Sequence, residues 1–286
     1  MRWISLPKCF VGAVLFSTAL IGISGQTAPS IQSTKVESRP VGTRYIYETV
    51  AGRELSLWVE GQSTDPIIPR LPALVLFHGG GWVVGSANQF NQQALTLAKL
   101  GVVVIQPEYR LVKRQDSLDA PIADGVAAWR WVHDHAEQLG IDPERIGVGG
   151  GSAGGQLAAY LGMIAMVSEP ALMVLYNPVV DLGPGACCQA HAFGDYHAIS
   201  PLYHVRPHLP DTLIFHGAQD AVVTPASIRA FVEAMKKAGN QCSVILYPGV
   251  GHAFFNKPEY EKKTTTELVD FLTERGWIHD QPRRSR

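Results

Sequence analysis

Ser152 sits in Gly150-Gly151-Ser152-Ala153-Gly154, between an apolar run and a stretch with helical spacing. A serine hydroxyl is a poor nucleophile near neutral pH and needs a general base, most often a histidine. His252 in GVGHAFF (249–255) is placed to be that base, with glycines before it to position the loop. The base needs an acid to fix its tautomer and stabilise the imidazolium. Asp220 in HGAQDAVV (216–223) supplies one. HGGGW (78–82) adds a glycine turn, where the N–H groups of Gly80 and Gly81 can approach a substrate oxygen that side chains would block. These residue types together point to acyl transfer through a covalent serine.

The glycine run allows other readings. A phosphate loop of the Walker type would need Lys then Ser or Thr after its last glycine, and none is present. A dinucleotide fingerprint is interrupted by Ser152 and lacks a ribose-binding acid at the expected distance. A flexible linker is excluded by ordered patterns on both sides. What fits is a strained strand-to-helix turn that holds the serine hydroxyl exposed. The helix starting at Ala153 points its free N–H groups and positive end at a developing oxyanion. Taken singly, Asp220 could be a turn residue and His252 a loop histidine; together with the elbow they read as chemistry. Asp181, after YNPVV, is the alternative acid, and Asp220 is preferred because it directly follows the penultimate strand.

These residues need a scaffold that gathers strand ends. Residues 43–50 and 54–61 alternate in the strand manner around a short turn. Continuous apolar runs at 73–79 and 101–109 read as strands buried on both faces, and 145–150, 171–179, 212–220 and 242–250 as further strands. Helical spacing falls between them, at 88–100, 120–139, 153–166, 225–238 and 264–276. The alternation predicts an α/β fold: a mostly parallel eight-stranded sheet with an antiparallel start and helices on both faces. Ser152, Asp220 and His252 all fall at carboxyl ends of strands, where open α/β sheets bind ligands. The irregular stretch 182–211 is long enough to line or cover a site.

The rest of the chain sets bounds. Of 286 residues 46% are hydrophobic and 17% charged, with a net charge of −1. That balance offers no electrostatic footprint for nucleic acid or an anionic membrane surface. Residues 1–28 have a basic start, a short apolar middle and a small-residue exit, as in a secretory signal peptide. The expected location is therefore secreted or periplasmic, with an uncleaved N-terminal membrane anchor as the alternative. Residues 29–42 read as a polar leader, 43–277 as one catalytic domain and 278–286 as a basic tail. Cys187, Cys188 and Cys242 are expected to be buried free thiols. Neither His133 and His135, two apart on a helix, nor His191, His197, His204 and His208 have metal-ligand spacing. No metal or cofactor is expected.

The motifs HGGGW, PEYRL (107–111), GGSAGG (150–155), HGAQD (216–220) and GHAFF (251–255), in this order, resemble the α/β-hydrolase esterases of the hormone-sensitive-lipase and acetyl-esterase type. The resemblance covers roughly residues 43 to 277. It implies Ser152 as nucleophile, Asp220 as acid and His252 as base, with Gly80, Gly81 and Ala153 donating to the oxyanion. Trp82 and Phe254 flank these residues and are candidates for shaping the acyl pocket, or equally for the core. Many relatives carry an acid where this chain has Gly151. Some carry a helical N-terminal cap, for which residues 29–42 are too short. Little or no cap implies an open site and short acyl groups. The expected substrate is a small-molecule or carbohydrate ester, with an amidase or peptidase, or a catalytically silent binding module, as alternatives.

Overall fold

A computed structural model describes residues 39–279, apart from 64, 66, 68, 114, 115, 166 and 189–194. The expected signal peptide, most of the leader, residues 280–286 of the tail and His191 lie outside the described residues. Eight strands form one sheet, in the order β1-β2-β4-β3-β5-β6-β7-β8. Here β1 is Thr43–Val50, β2 Arg53–Glu60, β3 Leu71–Phe77, β4 Val103–Pro107 and β5 Ile141–Gly151. The remaining strands are β6 (Leu172–Tyr176), β7 (Asp211–Gly217) and β8 (Cys242–Tyr247). β1 pairs antiparallel with β2, and β2 with β4; every other pairing is parallel.

Alternation along the strands explains why helices cover both faces. Val75, Phe77, Val103, Ile105, Met173, Leu175 and Ile214 pack on one side, with α2 (Asp119–Asp134), α3 (Ala153–Met163) and α4 (Pro225–Lys237). Leu74, Leu76, Val104, Leu172, Val174, Leu213 and Phe215 face the other, with α1 (Asn91–Ala98) and α5 (Pro258–Glu274). Since both faces are covered, the central strands read as unbroken apolar runs.

Helix ends follow local chemistry. Thr224 caps α4 by accepting from the Ser227 N–H, and Pro225 opens the helix where its missing donor is not needed. α5 starts at Pro258, a turn and a half before the sequence reading of 264. Its first turns are polar and exposed, so apolar spacing cannot reveal them, whereas Pro258 and the acids Glu259 and Glu261 suit a helix start. Between β6 and β7 the described residues form two one-turn 3₁₀ helices, Tyr196–Ile199 and Pro201–His204. Among the described residues no helix is long and apolar enough to cross a membrane.

Candidate active site

Ser152 follows the last residue of β5 and precedes α3, with φ 52° and ψ −111°. That is a left-handed, strained conformation for a residue with a side chain, the kind that persists where surrounding structure over-determines it. Its N–H is tied to the Tyr176 carbonyl at 2.8 Å. The Ser152 hydroxyl lies 2.9 Å from His252 Nε2, and His252 Nδ1 lies 2.7 Å from Asp220 Oδ2. The three residues proposed from sequence are thus brought into one hydrogen-bonded chain. The Asp220 carboxylate bonding Nδ1 requires Nδ1–H, which leaves Nε2 as an acceptor for the serine proton.

Asp220 is held from behind. Its Oδ1 accepts from the Val222 and Val223 N–H groups at 2.9 and 3.0 Å. Burial pushes this carboxyl up, yet the hydrogen bond and charge of His252, with the Val222 donor, hold it below the usual carboxylate range. It therefore stays ionised beside the imidazole. His216, fully buried on β7, donates from Nε2 to the Val223 carbonyl at 3.0 Å, bracing the residue whose N–H holds Asp220. Burial lowers the His216 pKa and keeps this ring neutral.

The glycine turn after β3 faces the same place. Gly80 has φ 122° and Gly81 φ 61°. The Val83 and Val84 N–H groups donate to the Gly80 carbonyl, and a Cβ on Gly80 would collide with the Val84 carbonyl oxygen. The N–H groups of Gly80, Gly81 and Ala153 have no hydrogen-bond acceptor among the described residues. Ala153 is the first residue of α3, where a free N–H is expected. Gln89 Oε1 accepts from the Gly79 N–H at 2.7 Å, while the Tyr109 hydroxyl donates to the His78 carbonyl at 2.8 Å. The His78 and Tyr109 rings stack at 4.2 Å. Arg110 clasps the buried Asp124 through guanidinium and backbone N–H, pinning this segment to α2.

Asn177 is the least expected member. At the end of β6 it has φ 37°, and its Oδ1 accepts from the N–H of Ala253, beside His252, at 3.1 Å. Ala253 is itself left-handed, with φ 56°. Sequence reasoning missed Asn177, Gln89 and His216 as supports. The only signal lay in their positions, Asn177 and His216 at strand ends and Gln89 ten residues after the glycine turn.

Two expectations need correcting. Phe254 is buried among Tyr247, Phe255 and Tyr260, so its ring belongs to the aromatic core instead of a substrate pocket. Trp82 is likewise fully buried, with φ 60°. Among the described cysteines only Cys242 is buried; Cys187 is exposed and Cys188 half-buried, because both sit on the loop after β6 and not in the sheet. Asp181 does not reach the histidine: its Oδ1 accepts from the Gly183 N–H at 2.8 Å. Beside Asp220 opens a cavity of about 550 Å³, walled by Val179, Asp181, Cys187, Val222 and Thr224 among others. No cluster of three potential metal ligands occurs among the described residues.

Comparison with known proteins places this geometry. Residues 74–196 match the family described as alpha/beta hydrolase fold, and residues 184–276 the prolyl oligopeptidase family. An ethyl acetate hydrolase of Pseudomonas putida is 32% identical over 224 residues, 69% of this chain and 70% of the relative. An acetylxylan esterase of Xylanibacter ruminicola is 27% identical, over 66% of this chain and 42% of the relative. The chain spans less than half the length of some relatives, 40% of an AB hydrolase superfamily protein of Schizosaccharomyces pombe. The butyrate-bound structure of the esterase Est2 from Thermogutta terrifontis superposes with a TM-score of 0.76 at 33% identity. That likeness covers 84% of this chain and 96% of the other.

Proposed function

The chain belongs to the α/β-hydrolase esterases, and from that premise we propose that it is an exported serine carboxylic-ester hydrolase acting on short acyl esters, acetyl esters first, through an acyl-enzyme. The observation that carries the reading is the Ser152–His252–Asp220 chain, at 2.9 and 2.7 Å, ending on a serine held in a left-handed turn. His252 takes the Ser152 proton as the oxygen attacks the ester carbonyl. Asp220 stabilises the imidazolium that forms. The N–H groups of Gly80, Gly81 and Ala153 receive the oxyanion, where a single donor is typically worth about 2.7–4 kcal/mol of barrier. The imidazolium protonates the departing alcohol, and water then releases the acid by the same route in reverse.

The short-acyl preference is supported by an ethyl acetate hydrolase among the relatives and a butyrate complex among the structural neighbours. A carbohydrate as the alcohol side is supported by the acetylxylan esterase. Export rests on the residue pattern of positions 1–28 alone. One observation favours a second reading: the prolyl oligopeptidase match over 184–276 supports amide substrates on this site.

The test is hydrolysis of p-nitrophenyl acetate, butyrate and octanoate by the wild type and Ser152→Ala, with a peptide p-nitroanilide alongside. The expected result is turnover that falls with chain length and collapses in the variant. Cleavage of the anilide without the esters would replace the esterase with an amidase, and equal turnover by both proteins would displace Ser152 as nucleophile.

A further inference from the structure

Cys187 and Cys188 are neighbours in sequence, and their Sγ atoms lie 2.8 Å apart. Both are free thiols; Cys187 is exposed and also lines the cavity beside Asp220. The same cavity is lined by Ala221–Thr224, the segment whose Val222 and Val223 N–H groups hold the Asp220 carboxylate. Val179, also on its lining, donates its N–H to the Ser152 carbonyl. Cys187 therefore sits on the wall of a cavity built from the same segments that hold Ser152 and Asp220, with the Cys188 sulfur against it. One thiol donating to the other stabilises the acceptor as a thiolate: this bond draws Cys188 below the usual thiol range and pushes Cys187 up. Cys242 is no competitor, because burial pushes its thiol up to about 12.

We infer that Cys187 and Cys188 are a redox-active dithiol, closing to a vicinal disulfide by exchange with a small-molecule disulfide and thereby reshaping the cavity that Cys187 shares with the Asp220 loop. The first cysteine, as thiolate, attacks one sulfur of the small disulfide and expels one small thiolate. The second, losing its proton to that thiolate, attacks the cysteine sulfur of the mixed disulfide and expels the other, which takes up the proton of the first. Two cysteine thiols lose two electrons and two protons, and one small disulfide becomes two thiols. Consecutive Cα atoms are about 3.8 Å apart across a trans peptide, short of the roughly 4.4–6.8 Å that disulfides span. Closing the ring must therefore twist the backbone at Cys187 and Cys188 themselves. Exposed, strained disulfides are the readily reduced ones, so the change is reversible.

The experiment uses the full chain carrying Cys9→Ser, which leaves Cys187, Cys188 and Cys242 as its cysteines, reduced and then incubated folded with oxidised glutathione. Mass spectrometry should show the loss of two hydrogens with no glutathione retained, mapped to the Cys187–Cys188 peptide and undone by a reductant. Cys187→Ser and Cys188→Ser should each keep one glutathione, and the double variant should not react. Glutathione retained on the wild type, a bridge to Cys242 or no reaction would each overturn the inference. The cavity link rests on the proposed esterase reading: oxidation should raise KM for p-nitrophenyl butyrate about threefold in the wild type and leave the double variant unmoved. An unchanged KM in a fully closed protein removes the reshaping. No turnover by the reduced wild type would sink the esterase reading, while the mass result would still decide the thiol pair.

Discussion

Gly151 faces the edge of the Phe255 ring: a Cβ on it would lie 2.5 Å from Phe255 Cζ and 3.3 Å from Gln89 Oε1. The ring cannot easily retreat, since it stacks on Phe90 at 5.7 Å and leans on Tyr176 at 5.0 Å. This chain therefore fills with an aromatic edge the place where many relatives carry an acid. Putting the acid back should fail twice, through overpacking and through a carboxylate beside the side-chain amide oxygen of Gln89. Gly151→Ala is expected to lose about 1–3 kcal/mol of stability, and Gly151→Asp more. Thermal unfolding of the two variants checks this. A Gly151→Asp protein as stable as the wild type would show that Phe255 has another place to go.

Asn177 gives the second prediction. Its Oδ1 is the acceptor for the Ala253 N–H, and removing it strands that donor next to His252. A buried donor left without a partner costs about 1–3 kcal/mol. Asn177→Ala is expected to lower kcat on p-nitrophenyl acetate about tenfold, a loss of ~1.4 kcal/mol of transition-state stabilisation, with little change in KM. Asn177→Gly suits the φ of 37° better yet also lacks the acceptor, so it should regain stability without regaining kcat. Asn177→Asp keeps an acceptor and should recover part of the rate. Unaltered kcat in both the alanine and glycine variants would reduce Asn177 to a packing residue.

What the sequence made legible and what it hid divide along physical lines. Ser152, Asp220 and His252 each sit in a short segment whose glycines and small residues carry the local geometry, so their joint presence could be read without a fold. The strands were legible because burial on both faces leaves continuous apolar runs, as in β3 and β4. The supports were not. Gln89 bonds Gly79, Asn177 bonds Ala253 and His216 braces Val223 through contacts that depend on how distant segments meet. Nor could Phe254 be told from a pocket residue, since an aromatic beside the site histidine reads alike until Tyr247 and Tyr260 are seen against it. Cys187 and Cys188 were misjudged because composition says nothing about which side of a loop faces water.

Gly80 tests the glycine turn itself. With φ 122°, and with the Val84 carbonyl oxygen where a Cβ would go, it accepts no side chain without moving the loop. Gly80→Ala should therefore displace the N–H groups proposed to receive the oxyanion. If one donor is lost, kcat falls about 10²–10³-fold, whereas phosphorylation of Ser152 by a reactive organophosphate should slow less, since the serine and histidine stay in place. Side-by-side kinetics with p-nitrophenyl acetate and the organophosphate separate these. A rate within threefold of wild type would remove the turn from the oxyanion site.

His78 carries a prediction about pH. It is 2% exposed and stacked on Tyr109, and burial lowers its pKa from 6.5 to about 4, against the opposing pull of its Nδ1–H bond to the Gly79 carbonyl. Between those values the unfolded chain binds a proton that the folded protein refuses. Stability therefore rises with pH across that window, and acidification from 6.5 toward 4 removes it. Each unit is worth up to about 1.4 kcal/mol, so the loss approaches ~3 kcal/mol near pH 4 and levels off below, where both states are protonated. His216, also lowered by burial, adds a loss of the same sign. Urea unfolding at pH 7, 5.5 and 4.5 should show wild-type stability falling more steeply than that of His78→Asn, which lacks the proton site. Parallel curves would mean that His78 takes up its proton in the folded state at the ordinary pH, and that the stack on Tyr109 opens to admit water.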